Sequence, residues 1–340
     1  MSTTLAAPSL DRPADLICIL FCVDTAYLGQ AGVALSSILA SNPHSAFEVY
    51  IAGFDCDPKA SEAIFEGVTA KHPSCRVIYK DFDAGLFAAF PVTRHISRSA
   101  YTRILAGQFV DPRHTRLLYL DADIVVRSDL RELWATPLDR YVVGAVQDHF
   151  VLDREAIGFR SDEPYFNSGM LLINMPAWRA ADCEARLLTY LAEHGQKLQF
   201  ADQDALNVVL RGQVRFLDLG WNFQPRCADV PASFLGLSPA TYATLRANPQ
   251  LIHYTTSVKP WNAPHRVHYS HHFFEAARVA GLERFFDAPN VADLPDWLSA
   301  VKTWLRWHFP SVFRMIRRVL KPESAAMMYR ARGAAKETTT

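Results

Sequence analysis

No stretch of this 340-residue chain approaches the roughly 20 consecutive apolar positions that a membrane-spanning helix needs. Met1 to Asp15 also has no basic segment followed by an apolar one, which excludes a secretory signal and leads to the expectation of a cytoplasmic protein. Net charge is absent too, with 35 Lys and Arg against 35 Asp and Glu, so no nucleic-acid partner is expected. Cysteine is sparse and scattered. Of the six, only Cys18 and Cys22 lie close together, within one apolar run, and they read as small core residues in a reducing compartment. There is no internal repeat, and no low-complexity linker before the tail.

What is present has the composition of a globular enzyme with an uneven charge distribution. From Val301 onward nine basic residues face two acids, leaving 26 basic and 33 acidic residues before that point. A mildly acidic body thus carries a basic tail. In that tail Trp297, Trp304, Trp307, Phe309 and Phe313 alternate with Lys302, Arg306, Arg314, Arg317 and Arg318, and helical apolar spacing follows Pro310. This pattern fits a helix lying in a membrane interface, or a terminal helix docked on the body with its charges solvated. The first reading is favoured, because each Lys or Arg near an anionic leaflet contributes about 1 kcal/mol.

Strand and helix signals alternate from the start. Leu16 to Val23, Phe47 to Phe54 and Cys75 to Tyr79 read as strands, with helices expected after Asp24 and over Ala60 to Ala70. A βαβαβ beginning implies a parallel sheet with helices on its faces and a ligand crevice beyond the carboxyl ends of its strands. Further strands are expected over Tyr141 to Val146, Gly169 to Ile173, Val214 to Leu217 and Leu251 to Tyr254, and a helix over Trp178 to Glu193. The division is an N-terminus of residues 1–15, an α/β domain over 16–280, and a tail over 281–340.

Four clusters carry chemistry. Asp121-Ala122-Asp123 ends the apolar run Leu117 to Leu120, and two such carboxylates suit a hard divalent cation. His253, ending a short strand, offers an imidazole nitrogen as a third ligand, and that mix favours Mn²⁺, with Mg²⁺ as the alternative. Lys259 follows as a point charge for a phosphate. Tyr165-Phe166-Asn167-Ser168-Gly169 pairs an amide suited to sugar hydroxyls with a glycine that permits close approach. Asp202-Gln203-Asp204 precedes helical periodicity, where capping accounts for one polar residue and leaves two to meet substrate.

In this order and at these spacings the clusters resemble the retaining glycosyltransferases of family 8. The likeness runs from about Ile17 to Trp261 and points to the bacterial lipooligosaccharide and lipopolysaccharide galactosyl- and glucosyltransferase branch. It implies a GT-A fold, a mixed sheet flanked by helices, binding a UDP-hexose with Mn²⁺. Asp121, Asp123 and His253 match the family's metal ligands, and Lys259 matches its diphosphate lysine. Cys22, Asp24 and Tyr27 fall on the segment that holds uracil and ribose, and Ala122 and Thr256 on stretches beside the nucleotide. Arg103 matches an arginine near the donor sugar, while Asn167, Asp202 and Gln203 line the hexose, with Asp204 beside them. A close member of the family carries Asp and Asn where this chain has Thr25 and Ala26, and Gly where it has Thr256.

The activity so implied is hexosyl transfer from a UDP-sugar to a saccharide acceptor, such as lipopolysaccharide or another lipid-linked glycan. The enzyme would be peripheral on the inner face of the cell membrane. Gln203 stands where a double displacement would place a nucleophile, and its neutral amide favours same-face substitution instead. Alternatives are a soluble glycogenin-like glucosyltransferase, a non-catalytic sugar-nucleotide-binding protein, and a phosphatase using Asp121 as nucleophile. The late position of the acidic pair, and Ile-Val-Val after it, speak against the last.

Overall fold

The computed structural model describes residues 16–81, 101–151, 154–160 and 162–286. The expected N-terminal segment, the stretch from His95 to Ala100, and all but the first residues of the basic aromatic tail lie outside the described residues.

The nine strands among the described residues are β1 (Leu16–Asp24), β2 (Ala46–Phe54), β3 (Cys75–Asp81), β4 (Arg116–Leu120), β5 (Ile124–Val126), β6 (Val143–Gln147), β7 (Phe166–Asn174), β8 (Val214–Leu217) and β9 (Leu251–His253). Seven form one sheet in the order β3-β2-β1-β4-β7-β6-β8. β1 through β4 pair in parallel, as the opening alternation implies. β7 then runs antiparallel to both β4 and β6, so the sheet as a whole is mixed. Reversal matters for function. It brings the first residues of β7, Asn167 to Gly169, to the carboxyl end of β4, where the Asp121 N–H donates to the Gly169 carbonyl at 2.8 Å.

The apolar run from Leu117 to Val126 is not one strand. It breaks at Asp121-Ala122-Asp123, and β5 leaves the main sheet to pair antiparallel with β9. Ile124 stands opposite His253 in that register, and the Tyr254 N–H donates to the Asp123 carbonyl at 2.9 Å. Two short strands thereby carry the acidic pair and the histidine to one place.

β1 is buried on both faces, which is why it reads as continuous rather than alternating hydrophobicity. Ile17, Ile19, Phe21 and Val23 enter one core cluster, and Cys18, Leu20 and Cys22 the other. All six cysteines are free. Helix Leu28–Ser41 is buried from Leu28 to Leu39, lying between the sheet and helix Ser270–Ala280. Gly32 lets helix Pro58–Thr69 and Leu282 come close to it, since a Cβ there would come within 2.7 Å of Ile64 Cγ2 and Leu282 Cδ1. The helix expected over Trp178 to Glu193 is two helices, Met175–Ala180 and Cys183–His194, broken where Asp182 adopts a positive φ of 47°.

Candidate active site

Asp121 follows β4, Asp123 precedes β5 and His253 closes β9. One ligand atom from each lies within 4.8 Å of the other two. His253 Nε2 is 3.2 Å from Asp123 Oδ1 and 3.6 Å from Asp121 Oδ2. On the other side of the ring, Nδ1–H donates to Asn222 Oδ1 at 2.8 Å, which turns Nε2 toward the carboxylates. Burial alone would lower the imidazole pKa, but Asp123 and Asp121 raise it to about 9. The two carboxylates thus hold a cation at Nε2, a proton or a metal ion. Two carboxylate oxygens and one imidazole nitrogen are a donor set that could hold a divalent ion such as Mn²⁺.

Glycine is required beside this trio. A Cβ on Gly169 would stand 2.1 Å from His253 Cε1 and 2.6 Å from Asp121 Oδ2. The backbone of β7 therefore forms one wall of the cradle.

A partly buried cation and a buried one flank the acids. Lys259 Nζ lies 2.5 Å from Asp123 Oδ2 and donates to the Tyr254 carbonyl. Arg103 spans the site, with Nη2 3.0 Å from Asp121 Oδ1 and Nε 3.1 Å from Asp202 Oδ2. Its Nη1 donates to the Ser168 carbonyl and hydroxyl at 2.9 and 3.0 Å, and its guanidinium lies over the Tyr119 ring. Burial opposes ionisation of both carboxylates, yet Lys259 and His253 hold Asp123, and Arg103 and His253 hold Asp121, below the usual carboxylate range. Breaking such a pair by deleting one partner costs about 3–5 kcal/mol, because the other charge stays buried.

Helix Ala201–Val209 supplies the next layer. Ala201 takes a positive φ of 37°, a turn that costs a non-glycine residue about 1–2 kcal/mol and directs Asp202 toward Arg103. Burial raises Asp202 to about 6 against the pull of Arg103. Its Oδ2 is at ion-pair distance from Arg103 and accepts no other hydrogen bond. Gln203 Oε1 accepts from Asn167 Nδ2 at 3.1 Å and from the Ser168 N–H at 3.0 Å. Asp204 is occupied elsewhere, accepting from Tyr165 Oη at 2.6 Å and from the Phe200 N–H at 2.8 Å, the amide that begins the helix. The capping acid is therefore Asp204, and its carboxylate serves the fold rather than Arg103 or Gln203.

The residues expected on the nucleotide side have partners of their own. Asp24 Oδ1 caps the turn after β1 by accepting from the Ala26 N–H at 3.1 Å. The Tyr27 ring meets Trp261 edge-on, with centroids 6.0 Å apart. Cys22 lies where Arg103 and Asp121 act on its thiol, and burial raises its pKa. Ala122 is buried in the core, and Thr256 turns its hydroxyl back onto the Val258 carbonyl at 2.9 Å.

Sequence reasoning missed Asn222, Asp148 and Arg226. Asp148, 2% exposed, accepts from Asn167 Nδ2 at 3.2 Å and pairs with Arg226 at 3.4 Å. None of the three belongs to a periodic segment or a recognisable cluster, so only the tertiary structure reveals them.

Comparison with known proteins places the arrangement. A model of glycosyl transferase family 8 matches residues 18–264. The chain belongs to this family. Its mixed seven-stranded sheet with flanking helices is the GT-A fold, and the galactosyltransferase LgtC, solved with donor and acceptor sugar analogs, superposes with a TM-score of 0.68. That match has 27% identity and covers 84% of this chain and 99% of LgtC. The Escherichia coli lipopolysaccharide 1,2-glucosyltransferase is 28% identical over 71% of this chain and 71% of its own length. The Salmonella typhimurium lipopolysaccharide 1,3-galactosyltransferase is 26% identical over 77% and 78%. General stress protein A of Bacillus subtilis is 27% identical over 77% and 94%. Family 8 membership makes the chain a glycosyltransferase and removes the phosphatase alternative. No described helix is long and apolar enough to cross a membrane.

Proposed function

We propose that the chain transfers galactose or glucose from a UDP-sugar to a saccharide acceptor with retention at the anomeric carbon. The observation that carries this is the convergence of Asp121, Asp123 and His253 beside Lys259 and Arg103 in a family 8 frame. A Mn²⁺ held by the trio would supply Lewis-acid stabilisation of the charge that develops on the departing diphosphate. Asp121 and Asp123 are ligands in this account, neither nucleophile nor base. Lys259 keeps a positive charge at the metal side of the crevice, where it favours a phosphate, and Arg103 keeps another between Asp121 and Asp202. Asp202, ion-paired with Arg103, would accept from a hydroxyl of the hexose, beside Gln203 and the Asn167 amide that donates to it.

Same-face substitution is the mechanism these residues support. The Gln203 oxygen is uncharged and already accepts from the Asn167 amide and from the Ser168 N–H and hydroxyl, which makes it a poor nucleophile for a double displacement. Gln203 would instead steady positive charge at the anomeric carbon through its amide dipole. A covalent sugar trapped on Gln203 or Asp204 would overturn this.

The acceptor we propose is lipopolysaccharide or another lipid-linked glycan, in keeping with the names of the Escherichia coli and Salmonella relatives. The basic aromatic sequence after residue 295 supports contact with an anionic membrane surface from the cytoplasmic side. UDP release measured over a panel of UDP-sugars with Mn²⁺, for the wild type and Asp123→Ala, tests the function. One UDP-hexose should be turned over by the wild type and lost in the variant; full activity in Asp123→Ala would refute the metal assignment.

A further inference from the structure

Asn222 joins the two halves of the site by hydrogen bonds from both ends of one amide. It is 1% exposed, at the end of the short 3-10 turn Leu219–Asn222. Oδ1 accepts the Nδ1–H of His253 at 2.8 Å, and Nδ2 donates to Asn167 Oδ1 at 2.9 Å. Asn167 in turn donates to Gln203 Oε1 at 3.1 Å, and its Oδ1 also accepts from the Gly169 N–H at 3.0 Å. The backbone fixes the amide in place. Phe223 N–H donates to the Leu251 carbonyl at 2.9 Å, and His253 N–H donates to the Phe223 carbonyl at 3.0 Å, so the turn is stitched to β9 beside the histidine it serves.

We infer that Asn222 is a positioning residue that fixes the His253 ring for the metal and, through Asn167, aligns Gln203 beneath the donor sugar. This rests on the metal and donor reading proposed above. A metal-ligating imidazole needs its second nitrogen held by an outer partner, or the ring rotates and the wrong tautomer competes for the ligand position. An aliphatic side chain of similar size would leave Nδ1–H unsatisfied in a buried setting. The amide does a second thing that a carboxylate cannot. Its NH₂ decides the orientation of the Asn167 amide: oxygen toward Asn222 and the Gly169 N–H, NH₂ toward Gln203 and Asp148. Reversing Asn167 would set its NH₂ against the Gly169 N–H and its oxygen against two acceptors. The orientation of the donor-facing amides is thereby tied to the residue that orients the metal ligand.

Two substitutions separate these roles. Asn222→Asp keeps an acceptor for His253 Nδ1–H but sets a carboxylate against Asn167 Oδ1; Asn222→Leu removes both bonds. Mn²⁺ affinity of the full chain, measured by isothermal titration calorimetry without donor, reads the metal half. The kcat for UDP release at saturating Mn²⁺ and UDP-sugar reads the other half. Expected are Mn²⁺ binding in Asn222→Asp no more than about threefold weaker than wild type with kcat reduced about 10–100-fold, and Mn²⁺ binding in Asn222→Leu weakened by about 10–100-fold. Wild-type Mn²⁺ affinity in Asn222→Leu, or wild-type kcat in Asn222→Asp, overturns the inference. If Asn222→Leu fails to fold, Asn222→Asp decides alone, since equal losses of affinity and kcat there would reduce Asn222 to a structural residue. A wild type that binds no Mn²⁺ would instead refute the underlying metal reading.

Discussion

Gly169→Ala adds a single carbon, and the structure says where that carbon must go. Its Cβ would lie 2.1 Å from His253 Cε1, 2.6 Å from Asp121 Oδ2 and 2.8 Å from His253 Nε2. Ordinary contact therefore requires the ring to retreat by more than about 1 Å, because carbon atoms pack at roughly 3.5–4.0 Å. The ring has little freedom to do so, with Nδ1 tied to Asn222 and the backbone paired with β5. A misplacement of about 1 Å costs on the order of 10²-fold where geometry decides the chemistry, so Mn²⁺ affinity and UDP release should each fall by about that factor. Calorimetric Mn²⁺ titration and a UDP-release assay measure the two, with circular dichroism confirming the fold. Gly67→Ala is the control, because a Cβ there meets nothing within 4 Å; in helix Pro58–Thr69 it should leave the metal untouched and add about 0.5–1 kcal/mol of stability. Wild-type Mn²⁺ affinity in Gly169→Ala would refute the placement of His253 against the β7 backbone.

Mn²⁺ must displace the proton that Asp123 and Asp121 hold on His253 up to a pH of about 9, so apparent affinity should tighten with rising pH, by up to about tenfold per unit below 9; a flat calorimetric profile from pH 6.5 to 8 would contradict this. Asp202, raised by burial from 3.8 to about 6, binds its proton more tightly folded than unfolded, so its contribution to stability is present below 3.8 and lost as pH rises to about 6. The melting temperature of Asp202→Asn, metal-free, should accordingly gain on the wild type across that window and hold steady above it, and a difference independent of pH would refute the shift. Removing residues 296–340 should abolish partition onto anionic liposomes while sparing UDP release from a soluble acceptor; an unchanged partition would sink the membrane contact.

The parallel half of the sheet was legible because strands buried on both faces are written as unbroken apolar runs, as from Leu16 to Val23. Direction was not legible. Nothing in Phe166–Asn174 states that it runs antiparallel to β4, although that reversal is what places Gly169 against Asp121 and His253. The acidic pair was visible at the end of an apolar run, but not the change of sheet that follows it, where Ile124–Val126 leaves to pair with β9. Helix Ser270–Ala280 went unread, because its buried stripe is only Phe273, Ala276 and Ala277 among histidines and charges. Asp204, grouped by sequence with Asp202 and Gln203, takes the capping bond with Phe200 because two helical positions, about 200°, turn it to the other side from Asp202. Asn222 left no local trace, since its meaning lies in partners 31 and 55 residues away.

The most direct test of the central claim is anomalous diffraction above the manganese edge from crystals grown with Mn²⁺ and UDP. The account requires one strong peak within bonding distance of Asp121, Asp123 and His253 Nε2, with the UDP diphosphate on its open side and Lys259 alongside. A peak held by other residues, or none where UDP is bound, would contradict it.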